Sequence, residues 1–130
     1  MHINGEAANG SYPVIKIKQI DLLAGVNSLV FENLAVEGDG SNNIFNVMEA
    51  IAAKQIVIRN NKISEAGKSL YYDNVGGAVA SLVIRNNVMT ELGGGQGTID
   101  IRKGAYVNVS VENNTVVGGR EFLRADKTTV

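Results

Sequence analysis

One phrase returns four times along the chain: SLVFENLAV from Ser28, QIVIRNNKI from Gln55, SLVIRNNVM from Ser81 and NVSVENNTVV from Asn108. The asparagines that close the first half of each phrase, Asn33, Asn60, Asn86 and Asn113, lie 27, 26 and 27 residues apart. Within each phrase apolar residues alternate rather than recur every third or fourth position, so the repeating unit is a strand and not a helix. A regular period of this size predicts a solenoid with one coil per repeat. No coil can cover its own apolar face, and neighbours must stack to make a core.

Successive strand side chains point to opposite faces. By parity, Leu82, Ile84 and Asn86 share one face, and Val83, Arg85 and Asn87 the other. The same reading yields the inward columns Leu29, Ile56, Leu82, Val109 and Phe31, Ile58, Ile84, Val111. Three strand segments fit in each period. The first ends at the asparagine, the second follows at once, and the third lies beyond a glycine-rich loop, at residues 43–48, 69–73, 98–102 and 121–124. Residues 14–18 are read as the third segment of an incomplete first coil, after an N-terminal arm at residues 1–12. Three short strands and three bends per turn predict an all-β chain folded as a right-handed parallel β-helix. It should have four to five coils and three short parallel sheets, and the hand follows from the crossover preference.

Asparagine is a poor strand residue, so its column needs another cause. Asn tolerates the left-handed backbone of a tight bend, and stacked amides can donate to and accept from one another. Asn33, Asn60, Asn86 and Asn113 are therefore expected as a structural ladder at one corner of the coil.

Composition narrows the function. A net charge of -1 offers no basis for neutralising nucleic-acid phosphates, and without cysteine there is neither a disulfide framework nor a thiolate metal site. The one histidine, His2, falls in a segment expected to fray, which removes Ser-His and metal-histidine schemes. Residues 1–12 lack the apolar stretch of a secretory signal, and no run approaches a membrane span, so direct membrane insertion is not expected. The stretch at residues 37–43 lacks the spaced acidic ligands of a calcium loop, and Gly93-Gly-Gly-Gln-Gly97 precedes a strand rather than a helix. No metal or cofactor is expected.

Two outward faces carry charge. The ladder Glu32, Arg59, Arg85, Glu112 reads as a solvated face, with an anion site between Arg59 and Arg85 as the sharper alternative. The third strand set is expected to present Glu49, Asp73, Arg102 and Arg124 outward, to within one residue of register. Tyr71, Asp100 and Lys103 lie close by, and residues 37–42, 65–68, 93–97 and 118–120 form the surrounding loops. Ligand-binding candidates are thus Arg102, Arg124, Asp73, Tyr71, Asp100 and Lys103, with Tyr71 or Tyr72 placed to stack on a sugar ring.

The repeated V-x-I-x-N-N phrase resembles the pectate-lyase-like right-handed β-helix superfamily. Around Ile99-Asp-Ile-Arg-Lys-Gly104 the chain is similar to the alginate lyase and chondroitinase B type of polysaccharide lyase. In that type an arginine on this strand is catalytic, and the next coil opens with another arginine-bearing strand, positions that Arg102 and Arg124 match in outline. The chain departs from the type where a lysine base belongs, since it has Asp73-Asn74 there, and Lys103 stands in place of the histidine after the arginine. The phrases Ile99-Asp-Ile-Arg102 and Phe122-Leu-Arg-Ala-Asp126 also resemble uncharacterised β-helix domains of Bacteroidetes surface or secreted proteins associated with polysaccharide utilisation.

What these resemblances imply is a non-catalytic, carbohydrate-associated module of a surface or secreted protein, with polysaccharide as its partner. A lyase-like enzyme or remnant acting by β-elimination on uronates, and a solenoid spacer with no ligand, are the alternatives. The chain is read as part of a longer protein. Neither residues 2–11 nor residues 127–130 have the amphipathic length of a cap, so the ends are expected to meet flanking domains of the parent chain or, if the chain is complete, to associate end to end as dimers.

Overall fold

Branched and aromatic residues at alternate positions form strands because one face of each can be buried while the backbone pairs with its neighbours. A computed structural model of the chain describes residues 1–126 together with 128 and 129. The first coil comprises β1 (His2–Asn4), β2 (Val14–Lys16) and β3 (Ile20–Leu22). The second comprises β4 (Ser28–Glu32), β5 (Ala35–Glu37) and β6 (Phe45–Val47). The third has a short β7 (Ala52–Ala53), then β8 (Gln55–Arg59), β9 (Lys62–Ser64) and β10 (Tyr71–Asp73). In the fourth are β11 (Ala78–Arg85), β12 (Val88–Leu92) and β13 (Ile99–Ile101), and in the fifth β14 (Gly104–Glu112), β15 (Thr115–Gly118) and β16 (Leu123–Ala125). A last strand, β17 (Thr128–Thr129), begins a further turn.

Like strands stack on like. The first sheet runs β1-β4-β8-β11-β14-β17 with β7 beside β11, the second β2-β5-β9-β12-β15, and the third β3-β6-β10-β13-β16. Every pairing between these strands is parallel. The chain is therefore a parallel β-helix of about five turns, with the expected three sheets. The inward columns follow the sequence register: Leu29, Ile56, Leu82 and Val109 align, as do Phe31, Ile58, Ile84 and Val111. The residues of both columns in the second to fourth coils are buried, whereas Val109 and Val111 in the last are only half-buried. Phe31 packs edge-on against Phe45 across the lumen at 5.1 Å between ring centres.

The first coil corrects two expectations. Residues 2–4 are not part of an arm: β1 pairs with β4 and places Ile3 on Phe31. Residues 14–16 pair with β5 in the second sheet, and Ile20–Leu22 supplies the third segment. The coil is complete but stretched by an excursion from Gly5 to Pro13 that carries a small antiparallel bridge, Ala8 to Ser11. His2 accordingly lies in a strand, bonded to Glu32 at 2.8 Å. Of the segment expected to lack a cap at the other end, Lys127 and Val130 lie outside the described residues.

The asparagine corner holds a second finding. Asn33, Asn60, Asn86 and Asn113 all adopt left-handed backbone, with φ between 53° and 60°. That turn reverses the strand parity, so Asn86 points to solvent and the next residue, Asn87, points inward. The inward amide ladder is thus Asn61 and Asn87, both buried, with Asn114 part-exposed at its end. Asn61 donates to Asn87 at 3.1 Å and Asn87 to Asn114 at 3.0 Å, while each also donates to a backbone carbonyl, of Phe31, Ile58 and Ile84 respectively. Outside, Asn33 donates to Asn4 and Asn86 to Asn60.

At the next corner the glycine-rich loops lie directly on one another. Gly93 N–H donates to the Ala66 carbonyl at 2.8 Å, and a Cβ on Gly93 would lie 1.7 Å from the Gly67 oxygen. Only glycine permits that approach.

Candidate functional site

The third sheet alternates like the first, and its register decides which side chains can meet a ligand. Tyr71 pairs with Ile99 and Phe45, and Asp73 with Ile101 and Val47, so both lie on inward columns. The outward column is Asp21, Asn46, Tyr72, Asp100 and Arg124. The expected outward column was therefore one residue out at the third coil, where Tyr72 rather than Asp73 faces outward.

Tyr71 and Asp73 are fully buried. Asp73 accepts backbone N–H bonds from Val75, Gly76 and Gly77 at 2.8–3.0 Å, and the Tyr106 hydroxyl donates to its Oδ2 at 2.6 Å. The Tyr106 hydroxyl also lies 3.0 Å from that of Tyr71. Burial pushes the pKa of both phenols up, so they stay protonated as this network needs. Neither Tyr71 nor Asp73 is available to a ligand. Asp73 holds the bend between the third and first sheets, and its carbonyl accepts the Arg102 N–H at 2.7 Å.

Four candidates gather on the outward face. Asp100 points away from the lumen yet is fully buried, because Arg102 folds back over it. The Arg102 Nε and Nη2 each donate to one Asp100 oxygen at 3.0 Å, and the Gly97 N–H donates to the same carboxylate at 3.2 Å. This charge-assisted pair raises the Arg102 pKa, fixing the cation. The guanidinium also lies over the Tyr72 ring, 5.2 Å from its centre. Arg124 stacks on Asp100 in the ladder and reaches Asp126 at 3.5 Å. Tyr72, Arg102 and Arg124 are each part-exposed. Lys103 is exposed and forms no ion pair among the described residues, and Glu49 is turned aside to accept the Ala24 N–H at 2.9 Å.

The first sheet's outward ladder is arranged differently. Glu32 is buried under Arg59 and His2, and its carboxyl pKa is lowered by the Arg59 hydrogen bond and then by that from His2. Arg59 is therefore engaged, and Arg85 stands exposed beside it. On the second sheet a shallow groove of about 380 Å³ is lined by Val14, Ala35, Lys62 and Val88, with the Tyr12 ring 6.0 Å from the Lys62 ammonium. Sequence reasoning missed this groove, since its columns read only as small or solvated residues. Of its two aromatic candidates, Tyr71 and Tyr72, it is Tyr72 that lies under Arg102. Among the described residues no group of three or more His, Asp and Glu side chains is placed to hold a metal.

A family model described as a domain of unknown function (DUF4957) matches residues 1–118, which span β1 through β15. No curated protein and no solved structure matches the chain.

Proposed function

The chain belongs to the DUF4957 family of domains of unknown function, and from that premise we propose that it is a non-catalytic polysaccharide-binding module of a surface or secreted protein. The observation that carries this reading is the face formed by Tyr72, Arg102 and Arg124 around the buried Asp100. Arg102 is held flat by two hydrogen bonds and an aromatic ring, so little freedom is lost when its remaining N–H groups meet a ligand. Planar donors of this kind suit sugar hydroxyls and carboxylates.

Two facts favour binding over cutting. Both Asp100 oxygens are occupied, and Asp73, the acid nearest the position of a lyase base, is enclosed with each oxygen hydrogen-bonded. β-Elimination needs a base within reach of the substrate's proton. The resemblance to β-helix domains of polysaccharide-utilisation proteins supports the ligand class.

Titration calorimetry against a uronate polymer and a neutral polysaccharide tests the reading. We expect weak binding to at least one, reduced about fivefold or more in Tyr72→Ala, since a lost stacking contact is worth roughly 1 kcal/mol or more. Arg102→Ala alone would leave Asp100 as a nearly unpaired buried charge. The informative variant is Asp100→Ala with Arg102→Ala, which removes both charges together. No heat with either polymer would favour the spacer instead, and binding unchanged in both variants would overturn the assignment to this face.

A further inference from the structure

The groove on the second sheet shares no residue with the Tyr72 face and has no part in the reading above. Its outward columns follow from the register: Val14, Ala35, Lys62 and Val88 in one, Lys16, Glu37 and Ser64 in the other. Ala35 carries a single methyl between the larger Val14 and Lys62, so the surface dips there, within a depression of about 380 Å³. That volume lies at the low end of the roughly 300–1,000 Å³ of small-molecule sites, which suits one unit of a chain or a free small molecule. The excursion in the first coil brings a ring to it. The Pro13 carbonyl accepts the Ala35 N–H at 2.9 Å and pins the chain beside β5, and Tyr12 sets its ring 6.0 Å from the Lys62 ammonium.

Polar groups at this groove have partners to spare. Lys62 is exposed, and its column neighbours Ala35 and Val88 carry no charge. Glu37 is taken by Lys16 at 3.2 Å, and among the described residues Lys62 forms no ion pair. An ammonium has three donors, and the Tyr12 ring faces it from one side only. Ser64 and Thr90, both part-exposed in the groove, have side-chain hydroxyls with no hydrogen bond among the described residues. The site thus combines one unanswered cation, two free hydroxyls, an aromatic ring and the methyl groups of Val14, Ala35 and Val88.

We infer that this groove is a second binding site, for a single uronate residue: a sugar ring bearing a carboxylate. Lys62 takes the carboxylate. The Ser64 and Thr90 hydroxyls exchange hydrogen bonds with those of the sugar, since each can donate and accept. Val14, Val88 and the Tyr12 ring meet its C–H faces. A neutral sugar leaves the ammonium unanswered, and a bare carboxylate leaves the hydroxyls and the apolar floor unused. Selection for the acid rests on one exposed ion pair, which contributes up to about fivefold, so the affinity is low. This site stands whether or not the Tyr72 face binds polysaccharide.

The test is NMR of the isotopically labelled full chain titrated with galacturonate, galactose and acetate. Galacturonate is expected to shift the amides of Ala35, Lys62, Ser64 and Val88, and to bind about three- to fivefold more tightly than galactose. Acetate, which has the charge without the ring, should bind more weakly than galacturonate. Lys62→Met keeps the aliphatic stem and removes the charge. Galacturonate affinity should then fall to that of galactose, with galactose unchanged. Lys62 is exposed, and unaltered amide positions outside the groove check that the coil stack persists. No shift of these four amides with galacturonate would overturn the proposal. So would equal affinity for galacturonate and either control, or a preference for the acid that survives in Lys62→Met. The groove shifts should persist in Tyr72→Ala, and polysaccharide binding at the third sheet should persist in Lys62→Met, so the two sites fail separately.

Discussion

Two adjacent asparagines in each repeat do different work. Asn86 has left-handed backbone and an exposed side chain, whereas Asn87 is fully buried and bridges Asn61, Ile58 and Asn114. Asn87→Ala removes the acceptor used by both the Asn61 backbone N–H and its side chain, and leaves buried groups without partners. It is expected to cost about 2–4 kcal/mol, since each such group costs roughly 1–3 kcal/mol. Asn86→Gly should lie within about 0.5 kcal/mol of the parent and Asn86→Ala about 1 kcal/mol below it, because the backbone angle dominates and the side chain's one bond, to Asn60, is exposed to solvent. Urea unfolding of the three variants checks the order. Sequence parity pointed to Asn86 as the inward residue, and it missed the reversal because a residue at positive φ turns the chain by nearly half a strand period.

Elements are tied to one another by a few buried polar contacts. Glu32 on β4 accepts from Arg59 on β8 and is bonded to His2 on β1, which joins the first three strands of the first sheet. Because those bonds lower the folded carboxyl pKa beneath its ordinary 4.5, their contribution is full above that pH. It fades as the pH falls through the lowered value. Thermal melts should therefore show a loss of stability below about pH 4.5 that is shallower in Glu32→Gln. Between the third and first sheets Asp73 and Tyr106 play the corresponding part, binding the bend at Val75 to Gly77 to the start of β14. This bend also sets the position of Arg102, through the Asp73 carbonyl. The candidate face was legible in sequence as a gathering of Arg102, Arg124 and Asp100. Its aromatic member was legible only as Tyr71 or Tyr72, because alternation left the register of β10 open by one residue.

Across the whole molecule, stability is a sum over neighbouring coils, so it should vary along the axis. Middle-coil strands β8 and β11 are paired on both sides and cover fully buried columns, whereas β1 and β16 are edges. Hydrogen exchange should be slowest in β8 and β11 and fastest in β1, β2 and β16. Uniform protection from end to end would contradict a coil-by-coil account. The period of about 27 residues, the all-β class, the three sheets and the inward columns were all readable from the chain, because they depend on local alternation repeated at fixed spacing. The completeness of the first coil was not, since an inserted excursion at residues 5–13 broke the period. Nor could alternation tell that Asp73 faces the lumen, that Asn87 rather than Asn86 is buried, or that Arg102 closes over Asp100. Those outcomes turn on bends of a single residue and on contacts between coils some 27 residues apart, which only stacking brings together.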